Sequence, residues 1–75
     1  METKFVKLMA EVLQMDGNHN LTTETEFRHL DQWDSLAYLS VIAMIDEEFD
    51  VVIEGNDFKK LITIGDIIAE IEKRK

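Results

Sequence analysis

Apolar residues recurring at helical spacing are the feature that most constrains the fold of this chain. Near its start, the positions that follow the i, i+3, i+4, i+7, i+8 pattern of an amphipathic helix are Phe5, Leu8, Met9, Val12 and Leu13. Near its end, an equivalent stripe consists of Ile64, Ile67, Ile68 and Ile71. No stretch alternates apolar and polar residues as a half-buried strand does. The pattern therefore predicts an all-α fold.

A second long helix is predicted from about Ser35 to Glu48, in the middle of the chain. Its buried stripe is expected to comprise Leu39, Ile42, Ile45 and Phe49, with Leu36 and Ala43 at the edges. The opposite face, turned to solvent, is then expected to carry Ala37, Ser40, Val41, Met44, Glu47 and Glu48. This exposed face is apolar or neutral near Ser35 and acidic at its far end.

A long loop separates these first two helices. The first helix is expected to end around Met15, where Asp16-Gly17-Asn18 has turn chemistry. Residues 16–34 then lack a sustained period, and such long connections are usually functional or tied down by their own side chains. The apolar side chains expected to anchor this loop to the core are Leu21, Phe27 and Leu30.

Two shorter signals complete the set of helices. Asn56 or Asp57 could cap a short third helix through Leu61. The segment Thr63-Ile64-Gly65-Asp66 resembles a capping box in which aspartate replaces the preferred Glu or Gln. Residues 1–75 are therefore predicted to form one domain, a small four-helix bundle with three main helices, one short helix and a long loop between helices 1 and 2.

Charge and cysteine content narrow the classes of function. Sixteen acidic residues against eight basic ones give a formal net charge of −8, which would repel nucleic acids and anionic membranes and attract basic protein partners. The absence of cysteine excludes disulfides and Cys-based zinc sites. His19 and His29 have no helical register that would bring them together, so no metal site is expected. With no signal peptide or transmembrane run, the expected location is the cytoplasm and no membrane insertion is expected.

Asp34-Ser35-Leu36 places a serine hydroxyl where the loop ends and the second helix begins. Asp34 suits an N-cap, and Ser35 would follow it in the first turn, close to the positive end of the helix dipole. This environment suits a serine that carries a phosphodiester better than one that attacks a substrate. No Gly-x-Ser-x-Gly motif surrounds Ser35, so hydrolase chemistry is not expected.

Taken together, these features resemble the acyl carrier proteins. The order is a helix, a long loop, Asp34-Ser35-Leu36, an acidic second helix and two further helices, and Asp46-Glu47-Glu48-Phe49-Asp50 nearly reproduces the family's Glu-Glu-Glu-Phe-Asp. The resemblance covers essentially the full chain. It implies a non-catalytic carrier whose 4′-phosphopantetheine is added to Ser35 from coenzyme A by a phosphopantetheinyl transferase. Asp34 is then the preceding acid, and Leu36 the hydrophobic residue offered to partner enzymes.

The resemblance also implies which partners to expect. They are the transferase and acyl or aminoacyl ligases, synthases and acyltransferases with basic docking patches, and the carrier itself is expected to be a monomer. The residues expected to form the docking surface are Trp33, Ala37, Ser40, Val41, Met44, Glu47 and Glu48.

Some positions depart from the pattern of the fatty-acid carriers. Trp33 stands where they usually have glycine, and Ala37 and Ser40 stand where they usually have acidic residues. The departures favour a specialised carrier for a dedicated lipid, envelope or secondary-metabolite pathway over a housekeeping fatty-acid member. Two alternatives remain open at this point: an aminoacyl, peptidyl or D-alanyl carrier protein, and a helical interaction module in which Ser35 is never modified.

Overall fold

A computed structural model describes residues 1–15 and 19–75, and over these residues the chain forms a bundle of four α-helices. Their bounds are α1 Glu2–Val12, α2 Ser35–Phe49, α3 Gly55–Phe58 and α4 Ile64–Arg74, with a 3₁₀ turn at Phe27–His29. Over the same residues, β pairing is limited to one isolated bridge. The predicted all-α, four-helix architecture is confirmed, while the turn predicted at residues 16–18 lies outside the described residues. None of the described helices has the length and apolarity needed to cross a membrane.

The core lies between α1, α2 and α4, with α1 packed against the other two. The predicted stripe of α4 is confirmed, since all four of its isoleucines are buried. In α1, Phe5 and Met9 are buried, and Leu13 is buried just beyond the helix end. The ring of Phe5 meets the ring of Phe49 at a centroid distance of 5.9 Å, which joins α1 to the end of α2.

The face of α2 that packs on the core is not the one predicted. Ile45 and Phe49 are buried as expected, but Leu39 is 61% exposed and Leu36 is 72% exposed. The predicted solvent-facing residues that are instead buried are Ala37, Val41 and Met44. The reason is that α2 is apolar on most of its sides. A series at i+3 spacing (Leu39, Ile42, Ile45) and a series at i+4 spacing (Ala37, Val41, Ile45, Phe49) therefore fit the sequence equally well. In the folded bundle, the residues of the i+4 series are the buried ones.

Left-handed residues end the first two helices. α1 ends at Val12 and not near Met15, because Gln14 adopts φ 60° and the Met15 N–H then bonds back to the Ala10 carbonyl at 2.8 Å. α2 ends at Phe49, and Asp50 directly after it is also left-handed, with φ 57°. The short α3 begins at Gly55 with Glu54 at its N-cap, two or three residues earlier than the Asn56 or Asp57 cap would place it.

The long loop is anchored as predicted and is also bonded to the start of α4. Leu21 and Phe27 are buried, and Leu30 packs half-buried against the core. The N–H groups of Ile64 and Gly65 donate to the carbonyls of Thr25 and Thr23, at 3.0 and 2.8 Å. A Cβ atom at Gly65 would lie 2.9 Å from the Thr23 carbonyl oxygen, so glycine is required for this close approach.

The predicted capping box opens α4 and is confirmed. The Asp66 carboxylate accepts hydrogen bonds from the N–H groups of Thr63 and Ile62, at 3.0 and 2.9 Å, and Thr63 Oγ1 accepts the Asp66 N–H at 3.1 Å. The bonds from the Thr63 and Ile62 backbones hold the pKa of Asp66 below its usual value.

Asp66→Asn is expected to weaken the acid dependence of folding. Because the folded pKa of Asp66 is lowered, its stabilisation is present above the unfolded pKa of about 3.9 and is lost as the pH falls through the lower folded value. At neutral pH the variant should lose up to about 1 kcal/mol, the usual size of a helix cap. Urea unfolding from pH 7 to pH 2 measures both effects. Glu72→Gln removes the same charge from an exposed position of α4, and equal acid slopes for the two variants would contradict this role for Asp66.

Candidate functional site

Asp34 sets the geometry at the start of α2. Its backbone is extended, at φ −155° and ψ −174°, and its Oδ1 atom accepts the Ala37 N–H at 2.7 Å. Its own carbonyl accepts the Tyr38 N–H at 2.9 Å, the first hydrogen bond of the helix. The predicted N-cap is therefore confirmed. It fixes the direction in which the chain enters α2 and leaves the next residue free of any capping role.

Ser35 is the first residue of α2 and is exposed, as is Leu36 beside it. No acidic side chain lies in this first turn. The backbone N–H groups and the positive end of the helix dipole therefore create a local environment that favours a negative charge on anything bonded to the Ser35 hydroxyl. A nucleophilic role would need an adjacent base to activate the hydroxyl.

A groove of about 450 Å³ opens beside Ser35. We call it the aromatic groove, and its lining residues are Arg28, Trp33, Asp34, Ser35, Tyr38, Gly55, Phe58 and Lys59. They come from the loop, from the first turn of α2 and from α3 with the residue after it. Since no histidine is among them, the groove supplies no imidazole base to Ser35. A second cavity of about 500 Å³ lies between the end of α1 and the loop, and Ser35 does not line it.

Aromatic rings form much of the surface of this groove. The rings of Trp33 and Phe58 are nearly parallel, with centroids 6.2 Å apart and planes 6° from each other. Tyr38 meets Phe58 edge-on at 5.1 Å, and Phe27 meets Trp33 edge-on at 4.9 Å. Aromatic pairs in these geometries stabilise beyond the area that they bury. Trp33 therefore ties the end of the loop to α3 through Phe58.

Arg28 and Lys59 give the groove a cationic rim. The Arg28 guanidinium lies 4.8 Å from the centre of the Phe27 ring, donates from Nη2 to the Phe58 carbonyl at 2.7 Å, and donates from Nη1 to the Leu61 carbonyl. Within the described residues, neither Arg28 nor Lys59 takes part in an ion pair. Neither charge is therefore paired with a carboxylate in the described part of the chain.

Five residues of this groove were not among the candidate residues predicted from the sequence: Arg28, Tyr38, Gly55, Phe58 and Lys59. One signal was present, since Arg28 is the only Lys or Arg between Lys7 and Lys59 and directly follows the anchor Phe27. Tyr38 lies beside Ser35 because it follows three residues later in α2. Gly55, Phe58 and Lys59 are brought there by the packing of α3 against the loop and α2, which no local pattern encodes.

The residues predicted to dock partners do not form one exposed surface. Trp33 lines the aromatic groove, whereas Ser40, Met44, Glu47 and Glu48 line a groove between α1 and α2. Ala37, Val41 and Met44 are buried against the core, Val41 completely, and so cannot form an exposed docking face. Glu47 and Glu48 are exposed, and Ser40 is half-buried. The large apolar side chains that α2 does expose are those of Leu36 and Leu39.

Metal binding has no support in the described part of the chain. Over residues 1–15 and 19–75, no three His, Cys, Asp or Glu side chains come together in a way that could hold a metal ion.

Comparisons with known proteins all point to one family. The family model described as "Phosphopantetheine attachment site" matches residues 3–71. An acyl carrier protein of an Exiguobacterium species is 35% identical over 66 residues, covering 88% of this chain and 82% of the relative. That of Streptococcus pneumoniae serotype 4 is 38% identical over 72 residues, covering 95% and 90%. In fold, the chain resembles the solution structure of a holo acyl carrier protein from Geobacter metallireducens, with a TM-score of 0.82, 24% identity and coverage of 96% and 82%.

Proposed function

We propose, since this chain belongs to the acyl carrier protein family, that the Oγ atom of Ser35 is where its phosphopantetheine is attached. Members of the family are non-catalytic proteins that bear a covalent 4′-phosphopantetheine. The thiol at the end of that group supplies the chemistry, by holding an acyl group as a thioester. Attachment of that group and its delivery to partner enzymes depend on how the residues around Ser35 position and expose the serine.

The position of Ser35 is the observation that carries the proposal. The chain has two serines, and only Ser35 is both exposed and in the first turn of a helix, whereas Ser40 is half-buried in mid-helix. The neutral first turn and the cations of the aromatic groove suit the negative charge of a phosphodiester. Asp34 holds the turn in place, because its Oδ1 atom accepts the Ala37 N–H at 2.7 Å. The residues present therefore fit the group.

The rest of the chain suits a carrier in two ways. It contains no cysteine, so no thiol of the polypeptide would compete with the prosthetic thiol for an acyl group. Its net charge of −8 draws it toward basic patches, and charge steering gives fast, weak encounters. The family works with a phosphopantetheinyl transferase and with acyl-handling enzymes, and a carrier must leave each of them quickly.

The docking surface that we propose centres on the exposed side of α2. Leu36 and Leu39 lie three residues apart, so they share one face of the helix next to Ser35. Glu47 and Glu48 extend the exposed surface with negative charge at the far end of α2. This surface replaces the one predicted through Ala37, Val41 and Met44. A partner that fits it presents an apolar contact near the serine and basic side chains farther away.

An apolar docking surface of this kind supports a carrier for a dedicated acyl pathway. Beyond the cap Asp34, no acidic residue lies in the first turn of α2, so enzymes that need acidic side chains after the serine as well would bind this carrier weakly. Loading followed by elongation with general fatty-acid synthase enzymes measures this directly. Efficient elongation would contradict the dedicated role and leave the carrier function intact.

Leu39→Asp is expected to raise the KM of the transferase for the carrier without destabilising the fold. Leu39 is 61% exposed, so the substitution removes an apolar contact offered to a partner and disturbs no core packing. Ile62→Asp is the matched control, because Ile62 is exposed to a similar degree, at 56%, and lies outside α2. Steady-state kinetics and thermal melting of both variants give the comparison. Equal KM values for the two variants would remove Leu39 from the docking surface.

Intact mass before and after incubation with coenzyme A and a broad-specificity phosphopantetheinyl transferase tests the attachment site. We expect the gain of one phosphopantetheine, and fragmentation of the proteolytic peptide should place it on Ser35 and not on Ser40. Modification at Ser40 would overturn the assignment. No gain with the native transferase of the source organism would favour the unmodified interaction module.

A further inference from the structure

We infer that Arg74 is a positioning residue for the modification of Ser35: it holds α3 in place through Asp57, and α3 in turn supports two aromatic side chains that flank the serine. The inference rests on the proposed attachment at Ser35. It adds the last residue of α4, at the other end of the chain from α1, to the residues on which the presentation of the hydroxyl depends.

The helix α3 has little stability of its own. It is four residues long, Gly55–Phe58, and helices this short are not stable in isolation. It begins with glycine, which is a poor helix former, and within the described residues no side chain caps its start. Bonds from the rest of the bundle must therefore hold it where it lies.

Arg74 makes three hydrogen bonds with one guanidinium. Its Nη2 donates to an Asp57 carboxylate oxygen at 2.7 Å, its Nη1 to the Val52 carbonyl at 3.0 Å, and its Nε to a Glu70 carboxylate oxygen at 2.7 Å. The bond to Glu70 holds the side chain along α4, whereas the other two join α4 to α3 and to the segment before it. The planar fork of arginine suits such a bridge, because its donors point to several acceptors at once.

The bridge formed by Arg74 is better shielded from water than an ordinary surface ion pair. The Arg74 side chain is 27% exposed, and those of Glu70 and Asp57 are 17% and 42% exposed. Several charges joined in one network contribute more than an isolated exposed pair does. The bridge is therefore able to restrain α3 at the surface of the protein.

Phe58, which directly follows Asp57, transmits the position of α3 to the serine. Its ring lies nearly parallel to the Trp33 ring at a centroid distance of 6.2 Å and meets the Tyr38 ring edge-on at 5.1 Å. Trp33 lies two residues before Ser35, and Tyr38 lies three residues after it. Displacement of α3 would therefore remove support on both sides of the serine while the N-cap of α2 stayed intact.

A second arginine holds the other end of α3. Arg28 donates from Nη2 to the Phe58 carbonyl at 2.7 Å and from Nη1 to the Leu61 carbonyl. Arg28 also lines the aromatic groove beside Ser35, so its substitution would alter the site directly. Arg74 is not among the residues that line this groove. Its substitution therefore tests the position of α3 without removing a side chain from the site.

Arg74→Gln should raise the KM of the phosphopantetheinyl transferase for the carrier about two- to fivefold and leave kcat unchanged. A protein whose binding-competent form is only partly populated binds more weakly by that fraction. Lys73→Gln is the matched control, because Lys73 is an exposed neighbour in the last turn of α4 and the change removes the same charge from the helix end. Its KM should equal that of the parent.

A double-mutant cycle with Asp57→Ala tests whether Arg74 acts through Asp57. If it does, the double variant should have a KM no higher than that of the more affected single variant, whereas independent effects would multiply. Arg74→Lys keeps the charge but not the fork, so its KM should also rise.

Fluorescence of the apo protein follows the position of α3 without any modification, because Trp33 is the only tryptophan of the chain. In Arg74→Gln, and not in Lys73→Gln, we expect emission at longer wavelength and a higher acrylamide quenching constant. The reason is that the Phe58 ring would no longer cover one face of the indole.

The outcomes separate this inference from the proposed function. Equal KM values for Arg74→Gln and Lys73→Gln, or multiplied effects in the cycle, overturn the positioning role and leave attachment at Ser35 standing. Unchanged Trp33 emission in Arg74→Gln overturns the link from Arg74 to the aromatic side chains. Failure of the parent to gain the mass of one phosphopantetheine overturns the attachment itself, and the inference with it.

Discussion

Ser35→Ala is expected to abolish the gain of phosphopantetheine completely and to leave the free energy of unfolding within about 0.5 kcal/mol of the parent. Modification requires the hydroxyl, and alanine offers no other atom to bond to phosphorus. Folding is unaffected because the cap of α2 is the Asp34 carboxylate, which still accepts the Ala37 N–H. Alanine is also a slightly better helix former than serine. Intact mass measures the first effect and urea unfolding the second.

The only other serine of the chain provides the control. Ser40→Ala should gain one phosphopantetheine as the parent does, since Ser40 lies in mid-helix and half-buried. A Ser35→Ala protein that still gained the group, or that lost the fold together with modification, would contradict the division of roles between Asp34 and Ser35.

Phe27→Ala is expected to destabilise the protein by about 3 to 5 kcal/mol. Phe27 is completely buried and its ring contacts Trp33 and Phe58, with the Arg28 guanidinium on its face. Truncation leaves a cavity under the aromatic groove that neighbouring rings cannot fill without breaking their own contacts. At roughly 0.05 to 0.15 kcal/mol per residue, the stability of a domain of this size is of similar magnitude. The variant should therefore be largely unfolded near physiological temperature.

Thermal melting followed by circular dichroism measures this loss. His29→Ala is the matched control, because it lies in the same 3₁₀ turn, is exposed, and forms only a surface pair with Glu26 at 3.4 Å. Its unfolding free energy should stay within about 0.5 kcal/mol of the parent. If Phe27→Ala melted at the temperature of His29→Ala, the loop would not depend on this anchor.

Local sequence patterns were enough to predict those elements of the fold whose pattern fits only one structure. The isoleucines of α4 leave only one face apolar, and Thr63 with Asp66 satisfies a capping pattern that has few other readings. In the same way, Leu21, Phe27 and Leu30 are apolar residues spaced along a mostly polar loop, so packing against the core was expected for each of them.

The face of α2 could not be predicted in the same way. Leu39 and Val41 are both apolar, and burying either one satisfies the helical period through Ile45. The choice depends on which side chains meet α1, and that is a tertiary contact. The aromatic groove had the same origin, since Arg28, Ser35 and Lys59 come from three separate segments of the chain. The serine itself was predicted because its motif and its helix start coincide.

The hydrogen bonds between the loop and α4 make two distant segments behave as one unit of local unfolding. The N–H groups of Ile64 and Gly65 end on Thr25 and Thr23, across about forty residues of sequence. Their exchange with solvent deuterium therefore reports the opening of the loop as well as the fraying of α4. The same loop continues to Trp33 and to Asp34, the N-cap of α2. Slow exchange at these two amides would therefore indicate that the loop leading to Ser35 opens rarely.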